Sequence, residues 1–106
     1  MSGIDAQTRR GMDMTAWLKC MVSLGQFPHE YSVWGTLFNG STFSLFAPKE
    51  DVDVKGEVTK TKPVQGWIRV TVGPIKDDRI LVSLPQPTFE NGQVVSVKLG
   101  DVKDLQ

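Results

Sequence analysis

The chain has 106 residues, of which 40% are hydrophobic and 23% are charged, and it contains ten glycines and six prolines. That length accommodates one domain with its own core, and the composition is typical of a globular, turn-rich protein rather than a disordered one. Twelve basic residues balance twelve acidic ones, which argues against the basic surface of most nucleic-acid-binding and membrane-surface proteins.

The cysteine content and the N-terminal residues bear on the compartment. Cys20 is the one cysteine of the sequence, so an intrachain disulfide is excluded. Residues 1–13 are mostly polar and lack the apolar run of a secretory signal, and no segment is long enough to span a bilayer. We therefore expect a cytoplasmic protein without membrane contact, with a flexible tail at residues 1–13 and a single β domain at residues 14–106.

Residues 15–24 fit two periodicities. Helical spacing puts one set of apolar residues on one face and makes the fold α+β; that set is Met14, Trp17, Leu18, Met21 and Val22. Strand spacing instead directs every second residue into the core: Ala16, Leu18, Cys20, Val22 and Leu24. We favour the strand, with Trp17 facing outward, because the rest of the chain is β-rich and residues 30–38 can pair with it.

The pair Asn39-Gly40 is the clearest turn signal of the chain. Asn-Gly favours the positive φ angles of a type I′ turn, and here it joins two β-rich runs. A two-residue hairpin loop follows from this, and it places Thr36 opposite Phe43 and Trp34 opposite Leu45.

Further strands follow along the chain. Alternating apolar residues predict strands at residues 52–58, 67–72, 79–84 and 93–99. We expect Gly56 to mark a bulge, and Pro85-Gln86-Pro87 to end its strand because two amide donors are missing. The inward phase of the later strands consists of Ile68, Val70, Val72, Val82, Val95 and Val97.

These elements predict an all-β fold of six or seven short antiparallel strands. So few strands must hide two sheet faces and two edges, which a small closed barrel does most economically. The order of apolar and turn residues from Phe89 to Val102 is of the kind seen in small SH3-like or OB-like barrels. A two-layer β-sandwich is the alternative architecture.

Candidate catalytic and metal-binding residues are few. His29 is the one histidine, so a nucleophile such as Cys20 has a single candidate base, and we interpret His29 as a loop residue. Zinc takes its ligands largely from Cys and His, of which the sequence has two in all. We interpret the acidic groups at residues 50–53 and 77–78 as solvated turns, and we expect no enzyme, no metal and no cofactor.

Six aromatic residues fall between residues 27 and 46. The simpler interpretation is a core cluster, because aromatic side chains dominate the cores of small β domains. The functional interpretation is a contact surface formed by the loop at residues 27–31 and two outward-facing tryptophans. The residues of this predicted partner-binding surface are Trp17, Phe27, His29, Tyr31 and Trp67.

Two functions remain open. The first is a non-enzymatic binding module for a protein, a peptide or its own copy, the last giving a homodimer through an edge strand or the aromatic loop. The alternative is single-stranded nucleic-acid binding, with Trp17, Trp67 and Phe27 as stacking platforms. Its phosphate contacts would come from Lys55, Lys60, Lys62, Arg69 and Lys98. The neutral net charge disfavours this alternative.

Overall fold

The computed structural model describes residues 14–105, so the tail predicted for residues 1–13 lies outside the described residues. Within this range no helix is long and apolar enough to cross a membrane. Two short 3-10 turns, at Lys49–Asp51 and Leu99–Asp101, accompany the strands. The strands are β1 (Thr15–Leu24), β2 (Glu30–Thr36), β3 (Thr42–Pro48), β4 (Val52–Val54), β5 (Val64–Lys76), β6 (Arg79–Thr88), β7 (Gly92–Lys98) and β8 (Val102–Lys103).

The strands form one antiparallel sheet in the order β3-β2-β1-β5-β6-β7, with β4 paired to β5 and β8 paired to β1. This sheet curls strongly into a half-barrel, which confirms the all-β class and is consistent with a small barrel rather than a two-layer sandwich. The number of strands was underestimated, because the two-residue β8 carries no periodic signal of its own.

β1 confirms the strand interpretation and excludes the helix. Ala16, Leu18, Cys20 and Val22 are all buried, because one face of the strand packs on the core while the other faces outward. Leu24, expected in the same row, is instead 39% exposed. It lies beyond Val22↔Val64, where the pairing with β5 ends, so the sheet no longer covers it.

The predicted inward phase of the later strands is largely confirmed. Five of the six valines and isoleucines are buried, and Val72 is half-buried beside a register shift between β5 and β6. The strand expected at residues 52–58 stops at Val54, and Gly56 takes a φ of +85° in the loop that follows. Gly56 therefore lies in the loop beyond the paired strand instead of forming a bulge within it.

The β2–β3 hairpin exists, but its loop has three residues instead of two. The Leu37 amide donates to the Ser41 carbonyl at 2.7 Å, and the Gly40 amide donates to the Leu37 carbonyl at 3.0 Å. Gly40 has a φ of +91°, whereas Asn39 is not among the described residues with positive φ. A type I turn followed by a left-handed glycine explains this geometry, and it replaces the predicted type I′ turn.

The longer loop shifts the predicted register by one residue. Val33 lies opposite Leu45 and Gly35 opposite Phe43, so the predicted pairs Thr36–Phe43 and Trp34–Leu45 are wrong. A shift of one residue moves a strand's side chains to the other face of the sheet. As a result Phe43 and Leu45 are buried in the core, and Phe46 lies on the outer face.

β6 runs past the predicted stop at Pro85 and reaches Thr88. Its ladder with β7 is broken between Ser83 and Thr88, where the prolines lie, and this final stretch packs beside β3. Thr88 pairs with Gly92 of β7, and the amide of the next residue, Phe89, is directed toward β3.

The gap between β3 and the end of β6 is called the seam here. Proline has no amide donor, so Pro85 and Pro87 cannot pair with β3. Phe89, two residues beyond Pro87, has an amide, and this amide donates to the Ser44 carbonyl at 2.9 Å. The half-barrel is thus bridged at single points instead of closing with a continuous ladder.

Candidate binding surfaces

Trp17 and Trp67 lie on the outer face of the sheet, as the strand alternation predicts, and both are half-buried. Trp17 is opposite Arg69 across β1 and β5, and Trp67 is opposite Lys19, so the two indoles are diagonal neighbours. This part of the predicted surface is brought together by the fold.

Cations cover both indole rings. The Arg69 guanidinium carbon lies 5.2 Å from the centroid of Trp17, and the Lys103 ammonium lies 4.2 Å from that of Trp67. Arg69 is also held by the Asp51 carboxylate, at 3.3 Å. A nucleobase could stack on these rings only by displacing a favourable cation–π contact, which counts against the stacking alternative.

The other three predicted residues lie elsewhere. Phe27 is 58% exposed and its ring is nearly parallel to that of His29, with centroids 6.2 Å apart. Tyr31 packs against the core, with the Lys49 ammonium 5.0 Å from its ring. Tyr31 pairs with Leu24, seven residues along β1 from Trp17, which is roughly 23 Å at ~3.3 Å per residue. The five predicted residues therefore form two groups instead of one surface.

Phe27 and His29 instead belong with two residues that the sequence interpretation did not select. Phe46 of β3 and Phe89 beyond β6 meet edge to face across the seam, with centroids 5.5 Å apart, and Phe89 is 68% exposed. We call Phe27, His29, Phe46 and Phe89 the aromatic band. No local pattern marks Phe46 and Phe89 as neighbours, because they meet only through the hairpin register and the seam.

A recess of about 270 Å³ lies within the aromatic band, between His29 and Phe46. Its remaining walls are formed by Glu30, Pro48 and Gln86. The recess thus combines flat apolar walls with an amide, an imidazole and a carboxylate, which is the mixture of a site that packs an apolar group and orients it by hydrogen bonds.

A carboxylate latch holds the seam beside this band. Glu90 accepts hydrogen bonds from the Ser44 amide at 2.8 Å and from the Ser44 hydroxyl at 2.5 Å. The hydroxyl bond is the larger cause, and together these bonds hold the pKa of Glu90 below its usual range. Both backbone groups of Ser44 are therefore occupied, because its carbonyl accepts from Phe89.

The two residues considered for catalysis, His29 and Cys20, lie in different environments. His29 is exposed on its loop, while Cys20 is buried in the core, where desolvation raises the pKa of its thiol to about 12. Among residues 14–105, no three His, Cys, Asp or Glu side chains group closely enough to hold a metal ion. The surfaces described above are suited to binding through apolar and cationic contacts.

No protein-family model, curated protein or solved structure gives a significant match to this chain.

Proposed function

We propose that this chain is a non-enzymatic binding module whose aromatic band docks an extended, proline-containing segment of a partner protein. The observation that carries the proposal is the recess of about 270 Å³ between His29 and Phe46. It lies on the same outer surface as Phe27 and Phe89, two of the most exposed large apolar side chains among the described residues.

The chemistry of the recess suits a polyproline II segment. Such a segment is extended before it binds, so it loses little conformational entropy, and its rings pack well on aromatic walls. Its backbone carbonyls make no internal hydrogen bonds and need donors. The Gln86 amide and the His29 imidazole supply donors here, and Glu30 favours a basic residue in the ligand.

The seam supports the same ligand. Phe46 has the phase of Ser44 in β3, so its backbone groups point away from β2 and toward the seam. Its amide makes none of the turn and loop backbone hydrogen bonds found among the described residues. A polyproline segment has carbonyls but no amides, so the Phe46 amide is a further donor for a ligand that lies along the band.

A second copy of this chain is the rival occupant of the band. Exposed apolar rings also favour self-association, and a homodimer through this surface would cover Phe27 and Phe89. Light scattering across a concentration series separates the two readings. We expect a monomer that binds peptide, whereas a dimer that loses peptide binding as it forms would favour self-association.

The test is a titration of the isotope-labelled protein with a lysine-capped decaproline peptide, followed by NMR. We expect shifts at His29, Phe46 and Phe89, and an affinity at least about tenfold weaker in Phe89→Ala, because loss of an anchor residue typically costs ~2 kcal/mol. Trp67→Ala is the matched control and should bind normally. Shifts centred on Trp17 and Trp67, or none at millimolar peptide, would contradict the proposal.

A further inference from the structure

A second concave surface lies on the outer face of β6, away from the aromatic band. It is a groove of about 380 Å³, called the β6 groove here, lined by Pro74, Lys76, Arg79, Leu81 and Ser96. The register shift between Val72 and Ile75 forms one of its walls. Gly73 allows the close approach, since a Cβ at this position would stand 3.0 Å from the Leu81 carbonyl oxygen.

Exposed apolar side chains lie in and beside the β6 groove. Leu81 is 39% exposed, and Val94, which lines the adjoining cleft with Ser96, is 59% exposed. They make up two of the seven large apolar side chains that are exposed among residues 14–105. Such a concentration is typical of a contact surface, whereas single exposed apolar residues need no explanation.

The charged side chains that line this groove, Lys76 and Arg79, are both positive. Asp77 and Asp78 form the turn between them, but within residues 14–105 the structure records no ion pair of either aspartate with these cations. Lys76, Arg79 and Lys98 stand in or next to the groove, and Arg79 lies opposite Lys98. The one ion pair among the described residues joins Arg69 to Asp51, so none of the three cations has a carboxylate partner in this part of the chain. They are therefore free to meet acidic groups of a ligand.

Arg79 is also fixed in place. Its guanidinium lies over the Phe38 ring, 4.8 Å from the centroid, and the Phe38 amide donates to the Ser96 carbonyl at 2.8 Å. A guanidinium held over an aromatic ring by a cation–π contact keeps N–H donors with which it can bind a carboxylate.

Ser96 contributes a polar group that lacks a partner. Its hydroxyl is buried and is the one buried side-chain polar atom without a hydrogen bond among the described residues. Ser96 lines both the β6 groove and a neighbouring cleft that includes Phe38 and Val94. A buried hydroxyl without a partner is unfavourable, and an acceptor supplied by a ligand at the groove would satisfy it.

We propose that the β6 groove is a second, independent binding site for an extended segment of a partner protein in which acidic and apolar residues alternate. Apolar side chains pack on Pro74 and Leu81, and carboxylates meet Lys76 and Arg79. A second copy of this chain does not suit the groove, because a two-fold contact would bring the same cations together. This site is separate from the aromatic band.

The test uses an alternating Glu–Val decapeptide and a matched Lys–Val decapeptide. We expect NMR shifts at Leu81 and Ser96 with the Glu–Val peptide but not with the Lys–Val peptide. Added salt should weaken this binding, and the decaproline peptide should not compete with it. The double variant Lys76→Gln/Arg79→Gln should bind at least about threefold less tightly, because it loses two exposed ion pairs with the ligand. Lys55→Gln/Lys60→Gln is the control and should bind as the wild type does.

Three results overturn the proposal. Equal binding of the Lys–Val peptide would show that charge does not select the ligand. Undiminished binding by the Lys76→Gln/Arg79→Gln protein, with an unchanged unfolding midpoint, would remove the cations from the site. Groove shifts that appear on deleting residues 1–13, with no response to added peptide, would identify the chain's own N-terminal segment as the occupant.

Discussion

The replacement Gly35→Ala tests how the β2–β3 hairpin is packed. The Phe43 ring lies across Gly35, so an added Cβ would stand 2.6 Å and 2.7 Å from two of its ring atoms. Ordinary contacts begin at about 3.4 Å, and Phe43 is fully buried, so the ring has no open space in which to move. The same Cβ would also stand 3.3 Å from the Lys19 carbonyl oxygen.

We expect Gly35→Ala to lower the free energy of unfolding by about 1–3 kcal/mol, the usual cost of overpacking a core. With a urea m-value of ~1–3 kcal/mol/M, the midpoint should fall by roughly 1 M at constant m. Gly100→Ala is the matched control, because nothing lies within 4 Å of its added Cβ, and it should change stability by less than ~0.5 kcal/mol. Equal midpoints for the two variants would refute the predicted clash.

Three further predictions concern the seam and the core. The NMR chemical shift of the Ser44 amide should titrate with a midpoint below the ordinary glutamate pKa of ~4.3, because the hydrogen bonds from Ser44 stabilise ionised Glu90. The stability that the latch contributes is complete above ~pH 4.3 and is lost as the pH falls through the lowered pKa of Glu90. Glu90→Gln should abolish this titration, and a midpoint above ~4.3 would contradict the latch. The Cys20 thiol, whose pKa burial raises to about 12, should react with a disulfide reagent at pH 8 only on unfolding in urea; rapid labelling of the native protein would show that it is accessible. Pro87→Val gives the end of β6 an amide with which it can pair with β3 and narrow the seam, so decaproline should bind at least about threefold less tightly; unchanged affinity would mean that the open seam is not used.

Much of the fold follows from period-two alternation where one face is buried. The rows in β1, β5 and β7 were predictable because a strand with one wet face repeats every second residue. The hairpin at Asn39-Gly40 was also predictable, but its register was not. The same two residues serve in a two-residue loop or in a type I turn with a left-handed glycine, and a single residue of difference exchanges the faces.

The candidate site was harder to predict than the core. The outward direction of Trp17 and Trp67 follows from alternation within their strands, but the cations over their rings come from other segments. Phe46 and Phe89 are 43 positions apart in the chain and meet because β6 continues past its prolines toward β3. Local patterns carry no information about such a contact, since it depends on how the sheet curls.

Amide hydrogen exchange with and without the decaproline peptide tests the binding of an extended segment at the aromatic band most directly. The Phe89 amide is bonded to Ser44 at the seam, and the backbone groups of Phe46 face the same gap. We predict that the peptide slows exchange at Phe46 and Phe89 and leaves Trp17 and Trp67 unchanged. Exchange that is unaltered along the seam, or slowed only around the two tryptophans, would contradict the proposed function.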